Sequence, residues 1–264
     1  VYANYIQGYN YIRGGEHRLA IQSLQRTIDL GEAMAQSSQS RPSGLEDIVG
    51  DAYIRIGDNY FQLSQYTDAS NWYQRAANQK VSGYDYALYQ NSQIQGLRGN
   101  SAQQIAMLDR LLREVPDSRY ADIALLDKSD ALTQNNQLAS AREPLLILIQ
   151  KYRGKSDLMN RALFKLGLIE YNLGNSSQAL EYYSQILKNN PTSQESSNAL
   201  AAIEEIYVID RGDPDGYFRV LESVPGMKVG ERQKDSLQYS VAGNYFGNGE
   251  YEKAVDAFSQ YLTR

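Results

Sequence analysis

The strongest constraint on the fold of this chain is a spacing of small and aromatic residues that returns along most of its length. The clearest copy comprises Tyr53, Ile56, Gly57, Tyr60, Ala69 and Tyr73. A second comprises Leu163, Leu166, Gly167, Ala179, Tyr183 and Pro191, and a third Tyr245, Ala254, Phe258 and Tyr261. Steps of three and four residues place side chains on one face of a helix, and a period of roughly 20–50 residues is typical of repeat arrays. The spacing therefore predicts an all-α array in which each unit buries its apolar face against its neighbours.

The small residue of the second helix gives a register for the whole array. In order, these anchor positions are Ala20, Ala69, Gln104, Ala141, Ala179, Tyr217 and Ala254. Successive anchors lie 49, 35, 37, 38, 38 and 37 residues apart. We predict about seven helix pairs in a single array over 1–264, with units near 1–36, 45–81, 85–116, 118–153, 157–191, 194–226 and 232–264. We expect this array to be an excerpt of a longer chain, with a polar loop at 37–44 lengthening the first interval.

Local sequence also predicts where the helices end. Gly174 supplies the positive-φ geometry that ends a helix at low steric cost, and Pro191 stops propagation because it lacks an N–H. Thr192 then offers a side-chain oxygen to cap the next helix. Pro144 is expected within the first turn of a second helix, where proline is tolerated. The sixth pair is degenerate, with a broad turn and a short second helix at about 216–224.

The complete pattern resembles the tetratricopeptide repeat over nearly the whole chain. The resemblance implies an α-solenoid of antiparallel helix pairs wound into a right-handed superhelix, with the first helix of each pair lining the concave surface. It also implies a protein or peptide partner and no enzymatic activity. Family members that clamp an acidic C-terminus carry Lys, Asn and Arg on these first helices. The corresponding places here hold Tyr5, Tyr9, Ile54, Asp58, Tyr89 and Gln93, so a carboxylate clamp is not expected.

Tyrosine is unusually frequent, with 22 Tyr against 5 Phe and 1 Trp. A tyrosine has a large apolar body and a polar tip, which suits a surface that is wet when free and dry when bound. In the register of the resemblance, the aromatic residues at concave positions are Tyr2, Tyr5, Tyr9, Phe61, Tyr86, Tyr89, Phe164, Tyr171, Tyr239 and Phe246. Two interpretations are open for this set: it forms a partner-binding groove, or some of its members pack between helices of an irregular solenoid.

Two connections between helix pairs carry a second resemblance. Residues 116–118 read Pro-Asp-Ser and residues 191–193 read Pro-Thr-Ser. This resembles the Pro-x-Ser linkage of tetratricopeptide proteins in the Gram-negative envelope, such as the lipoprotein of the outer-membrane-protein assembly machine and the Tol–Pal-associated coordinator. The resemblance implies a periplasmic or envelope-associated location, with a cytoplasmic location as the alternative.

Composition argues against several functional classes. The net charge is −5 and the cations are scattered singly, so nucleic acid is not an expected partner. No apolar stretch approaches the ~20 residues that span a bilayer. The chain has no cysteine, and its one histidine, His17, is predicted to lie solvated in a turn. Residues 210–216 lack the first carboxylate of a calcium-binding loop. We therefore predict no catalytic residue, no metal site and no cofactor.

The function that the sequence favours is a non-enzymatic adaptor in the cell envelope that holds a protein segment in an aromatic-lined concave groove. Recognition would use a helix or an extended peptide docked on aromatic anchors. The alternative is a structural assembly module, which stacks on other parts of its own chain or self-associates through the last pair, where Phe258 and Tyr261 lie.

Overall fold

The computed structural model describes residues 1–37, 43–154, 158–224 and 230–263. It is 81% helical, and the described residues contain fourteen α-helices and no strand. The helices are α1 (Tyr2–Arg13), α2 (His17–Gln36), α3 (Leu45–Gln62), α4 (Tyr66–Asn78), α5 (Tyr84–Leu97), α6 (Ser101–Glu114), α7 (Ala121–Gln134), α8 (Leu138–Lys151), α9 (Met159–Asn172), α10 (Ser176–Lys188), α11 (Ser193–Glu204), α12 (Pro214–Ser223), α13 (Glu231–Gly247) and α14 (Tyr251–Leu262). A π-helical segment, Glu205–Asp210, continues α11.

The chain forms two compact modules. The N-terminal module is Val1–Pro144 and the C-terminal module is Leu145–Arg264, so the boundary falls inside α8. Within each module, helices that are consecutive in the chain pack against each other. We call the odd-numbered helix of each pair the first helix and the even-numbered one the second helix.

The turns inside the pairs confirm the register of the anchors. Each holds a residue with positive φ five positions before its anchor: Gly15, Ser64, Gly99, Asn136, Gly174, Gly212 and Gly249. At six of them the same two backbone bonds close the first helix. In the fifth pair, for example, the Gly174 N–H donates to the Tyr171 carbonyl at 2.9 Å and the Asn175 N–H to the Glu170 carbonyl at 2.8 Å. This Schellman arrangement satisfies carbonyls that the helix end leaves without a partner.

Small residues on the first helices admit large residues from the second helices. A Cβ added at Gly57 would lie 2.7 Å from Cε1 of Tyr73, and one at Gly8 would lie 2.8 Å from Cγ of Leu24. Gly167 stands in the same relation to Tyr183. Gly57 and Gly167 of the repeat pattern therefore lie where two helices approach closely, and Gly8 takes the same place in the first pair.

In the third pair, a different small residue admits the side chain of the second helix. Its anchor is Gln104 rather than alanine, and this side chain is nonetheless buried. A Cβ at Gly96 would lie 2.9 Å from Nε2 of Gln104. The small residue has thus moved one helical turn along the first helix, where it accommodates the larger anchor.

Capping follows the sequence closely at α11. The Thr192 hydroxyl accepts from the Glu195 N–H at 3.2 Å, and the Glu195 carboxylate accepts from the Thr192 N–H at 2.8 Å. Both halves of a capping box are present, and these contacts lower the pKa of Glu195, although burial acts against them. The predicted cap at Thr192 is confirmed.

One local prediction was wrong, whereas the short second helix of the sixth pair is confirmed. Pro144 lies in the interior of α8 and not in its first turn, so the helix lacks the N–H that residue would donate to the preceding turn. In the sixth pair α12 begins at Pro214, and Asp213 caps it by accepting from the Gly216 N–H at 2.8 Å. The π-helical segment before it was not predicted. Residues 38–42 of the predicted polar loop lie outside the described residues.

Candidate protein-binding face

The first-helix face of the N-terminal module is organised around three charged residues of α3. Asp51, Arg55 and Asp58 follow each other at steps of four and three, so they lie on one side of the helix. Arg55 donates through Nε to Asp51 Oδ1 at 3.1 Å and through Nη1 to Asp58 Oδ2 at 2.5 Å. One guanidinium therefore fixes both carboxylates.

Phenol groups from neighbouring helices complete the coordination of these carboxylates. Tyr5 and Tyr9 of α1 donate to Asp51 Oδ2 at 2.8 and 2.6 Å. Tyr73 of α4 and Tyr86 of α5 donate to Asp58 Oδ1 at 2.7 and 2.9 Å. The two aspartates thereby connect three successive helix pairs through hydrogen bonds.

A second contact of the same kind joins α5 to α7. The Tyr89 hydroxyl and the Gln93 amide both donate to Asp127 Oδ2, at 3.2 and 2.7 Å. We call these two hydrogen-bonded sets together the tyrosine–aspartate ladder. Its members are Tyr5, Tyr9, Asp51, Arg55, Asp58, Tyr73, Tyr86, Tyr89, Gln93 and Asp127.

Aromatic stacking reinforces the ladder beside α5. The rings of Tyr89 and Tyr120 stack at 5.2 Å with an interplanar angle of 11°, and Tyr120 also meets Tyr86 at 5.8 Å. Cations already lie over two of these rings: Arg119 is 5.2 Å from the centre of Tyr120, and Arg55 is 5.9 Å from that of Tyr86. These rings therefore present π faces that accept a guanidinium.

The environment of the ladder keeps its phenols protonated. Burial, followed by the aspartate that accepts each hydrogen bond, raises the pKa of Tyr73, Tyr86 and Tyr89 well above the ordinary tyrosine value of 10.0. Burial and hydrogen bonding raise the pKa of Tyr5 and Tyr9 in the same direction. A protonated phenol is a donor, so these tyrosines can still donate to their aspartates at a pH where a free tyrosine has lost its proton.

The ten predicted partner-binding residues fall into different environments. Seven are half-buried: Tyr5, Tyr9, Phe61, Tyr86, Tyr89, Phe164 and Tyr171. The other three, Tyr2, Tyr239 and Phe246, are more than half exposed. The ladder brings together Tyr5, Tyr9, Tyr86 and Tyr89. Phe61 instead packs edge-on against Tyr66 at 5.4 Å, so it contacts the start of α4 across the turn that joins α3 to α4.

The C-terminal module carries a different chemistry at equivalent positions. Arg161 and Lys165 of α9 replace Asp51 and Arg55, and Leu168 replaces Asp58. These three residues and Phe164 line a cavity of about 280 Å³. The ring of Phe164 packs 5.5 Å from the ring of Tyr183. A hydrogen bond to Asp210, together with burial, raises the pKa of Tyr171 to about 12.

Sequence reasoning missed the acceptors of the ladder and the position of Tyr120. The Asp-x3-Arg-x2-Asp spacing of α3 was the available signal, because it marks one face of the helix. Asp127 is a further acceptor that the sequence analysis did not identify, and it accepts two hydrogen bonds from α5.

The prediction for His17 was wrong. His17 opens α2 and is half-buried, and its Nδ1 lies 2.8 Å from Asn59 Oδ1. Since the Asn59 amide donates to the Arg55 carbonyl at 2.7 Å, Asn59 Oδ1 is the acceptor and Nδ1 carries the proton. Elsewhere in the described ranges, no group of three or more His, Asp or Glu residues is placed to hold a metal ion. No helix in the described part of the chain is long and apolar enough to cross a membrane.

Two segments match family models described as tetratricopeptide repeats, residues 50–79 and residues 161–193. They fall on α3–α4 and α9–α10, the pairs with the clearest sequence pattern. No curated protein matches the sequence closely enough to serve as a relative.

Solved structures resemble the chain in fold. A tetratricopeptide repeat protein from Parabacteroides merdae ATCC 43184 has a TM-score of 0.55 at 14% identity, covering 99% of this chain and 91% of that one. YrrB, a TPR protein with an unusual peptide-binding site, has a TM-score of 0.52 at 14% identity, covering 75% and 88%. The Naa15/Naa10 assembly bound to HypK-THB reaches 0.58 at 14% identity, covering 99% of this chain and 36% of that chain. The fold is therefore that of a tetratricopeptide α-solenoid, and each of the two matching segments corresponds to one tetratricopeptide helix pair.

Proposed function

We propose that the protein is a non-enzymatic scaffold that binds a protein segment along the first-helix face of its N-terminal module. The tetratricopeptide fold is typical of protein–protein interaction scaffolds. The observation that carries the proposal is the ladder, which holds half-buried tyrosines of the first helices α1 and α5 in fixed orientations.

Fixed tyrosines are suited to recognition. A tyrosine ring offers a large contact area and loses few rotamers on binding, and here the hydroxyl is already hydrogen-bonded before a partner arrives. Because side-chain ordering is one of the costs of association, a surface that is ordered in advance binds more tightly. YrrB shows that a related solenoid binds a peptide, which supports this use of the fold.

The chemistry of the face favours a segment with basic and apolar side chains. The ladder contributes three carboxylates and one guanidinium, so its formal balance is negative. The contacts of Arg119 with Tyr120 and of Arg55 with Tyr86 show a cation over a ring in the free protein. A basic side chain of the partner would use the remaining ring faces in the same way.

Site-specific photo-crosslinking in the native cells tests this proposal. A crosslinking residue at Gln90, which lies on α5 between Tyr86 and Gln93, is expected to capture a protein, whereas the same residue at the exposed Gln22 of α2 is not. Tyr89→Ala should abolish capture without loss of helicity, while Tyr251→Ala, at an exposed tyrosine of α14, should preserve it. Capture that survives Tyr89→Ala would contradict the proposal.

A periplasmic or envelope-associated location is a second, separate part of the proposal. It is supported by the two Pro-x-Ser connections at residues 116–118 and 191–193. In the second of them, Thr192 forms the capping box of α11. Cell fractionation tests it directly, since the protein would follow periplasmic or envelope markers. Recovery with cytoplasmic markers alone would contradict it and would leave the binding proposal unaffected.

A further inference from the structure

The helices α5 and α11 occupy the same place in their modules, because each follows a pair that matches the tetratricopeptide repeat. Both bury an Ala-Leu dipeptide, at 87–88 and at 199–200, and an isoleucine six residues beyond the leucine. This alignment puts Asn198 of α11 at the position of Tyr86 of α5. An amide side chain therefore stands where the N-terminal module has a tyrosine ring.

The cavity of about 280 Å³ in the C-terminal module lies at this position. In the N-terminal module, the Tyr86 hydroxyl donates to Asp58 of α3 at 2.9 Å. Leu168 of α9 takes the place of Asp58, and it lines the cavity together with Asn198 and Phe164. The cavity thus corresponds to the space that a tyrosine of the chain itself fills in the other module.

The polar wall of this cavity is basic. Arg161 and Lys165 lie one turn apart on α9, and both line the cavity. Glu195 is the one acid among the described residues of the lining, and its carboxylate is already engaged. It accepts from the Thr192 N–H at 2.8 Å and from the Asn160 amide at 3.2 Å. The charges that remain to attract a partner are therefore those of the two cations.

We propose that this cavity binds an aromatic side chain of a protein partner, and that Arg161 and Lys165 hold an acidic residue beside it in the partner's sequence. The ring would take the place that Tyr86 has in the other module, against the ring of Phe164. The flat guanidinium fork of an arginine suits a carboxylate. Pockets for drug-sized ligands have volumes of about 300–1,000 Å³, so the size of this cavity favours a single side chain.

The proposed site goes beyond the function proposed above. It lies in the other module, and it is basic where the ladder is acidic. Either site can therefore bind a partner in the absence of the other, and the two can be tested separately.

Fluorescence anisotropy tests the site with a labelled peptide of glutamates around one phenylalanine. The full chain should bind this peptide saturably. Replacing the phenylalanine by alanine should weaken binding at least about tenfold, because the buried ring is lost. Lys165→Gln should weaken binding of the phenylalanine peptide about fivefold, because it removes one ion pair. Lys188→Gln is the same change on the exposed surface of α10 and should leave binding unchanged.

Filling the cavity gives a second test that removes no charge. Asn198→Tyr supplies the ring that α5 has and should abolish binding, whereas Asn198→Ser leaves the space open and should bind like the wild type. Both variants should fold, because Asn198 is exposed, and circular dichroism checks this. Tyr89→Ala should not affect this binding, so a failure of the ladder as a partner site is measured separately.

Three results would overturn the proposal. They are the absence of saturable binding of the phenylalanine peptide, binding that survives Asn198→Tyr, and equal binding of a peptide with lysines in place of the glutamates.

Discussion

Replacing Gly167 by alanine measures how tightly the helix pairs are packed. An added Cβ would lie 2.6 Å from Cζ and 2.8 Å from Cδ1 of Tyr183, with Cε1 closer still. Tyr183 is 1% exposed and its ring is held against Phe164, so it has little room to move. Overpacking of this kind costs about 1–3 kcal/mol, while glycine-to-alanine in a helix interior returns about 0.5–1 kcal/mol. We expect a net loss of roughly 1–2 kcal/mol, since a rigid ring places the cost in the upper part of its range.

Thermal unfolding followed by circular dichroism provides the assay. For a cooperative unit of this size, 1 kcal/mol corresponds to about 4 °C, so Gly167→Ala should lower the midpoint by about 4–8 °C. Gly243→Ala is the matched control within the same module. A Cβ there meets nothing within 4 Å, so only the gain in helix propensity remains, and the midpoint should rise by about 2–4 °C.

A double-mutant cycle identifies the ring as the cause. In a Tyr183→Leu background the space beside residue 167 is larger, so Gly167→Ala should cost less than in the wild type, by at least about 0.5 kcal/mol. An unchanged or raised midpoint for Gly167→Ala, or an equal cost in both backgrounds, would refute the packing argument. Either result would also remove the physical reason for glycine in the repeat pattern.

Three further predictions concern the ladder and a helix cap. Asp58→Ala leaves two phenols and Nη1 of Arg55 without their acceptor. It should lower the free energy of unfolding, measured in urea, by about 2–3 kcal/mol, with Asp68→Ala on the exposed surface of α4 as a near-neutral control. The phenols have raised pKa values in the folded state, so their contribution to stability is complete below the unfolded pKa of 10.0 and is lost as the pH rises above it. The free energy of unfolding should therefore be lower at pH 11 than at pH 8. Tyr86→Phe should reduce this difference in free energy. Thr192→Ala removes one half of the capping box and should cost about 1 kcal/mol, whereas Thr192→Ser should retain most of the stability; equal stabilities for these two variants would contradict a role for the hydroxyl.

The parts of the fold that the sequence predicts are those that depend on the size or the local hydrogen bonding of single residues. Gly57 and Gly167 were identifiable because only a residue without a side chain permits the approach of Tyr73 or Tyr183. The third pair was not predictable in this way. Its anchor Gln104 packs against Gly96, which lies one helical turn beyond the position that Gly57 and Gly167 occupy in their pairs. The π-helical segment before α12 depends on a backbone register that no single residue specifies.

The candidate site was predictable only in part, for a related reason. A helical register shows that Tyr5 and Tyr86 lie on first helices, but a hydrogen bond between helices depends on how one pair is rotated against the next. Asp51 and Asp58 become acceptors only after that rotation is set by packing. Sequence spacing placed the tyrosine donors on first helices, and the structure was needed to identify their acceptors.

The ladder and the glycine–tyrosine contacts constrain the first three pairs in different ways. Apolar contact between Gly57 and Tyr73 fixes how closely two helices approach and tolerates small rotations. Hydrogen bonds of 2.6–2.9 Å from phenols of α1, α4 and α5 to carboxylates of α3 do not, because they depend on direction as well as distance. Since Arg55 donates to both carboxylates, we expect a change at Asp51 to alter the orientation of Tyr86 through Asp58. Partner binding should therefore be more sensitive to Asp51→Asn than the overall stability is, whereas substitutions at Gly57 should reduce both together.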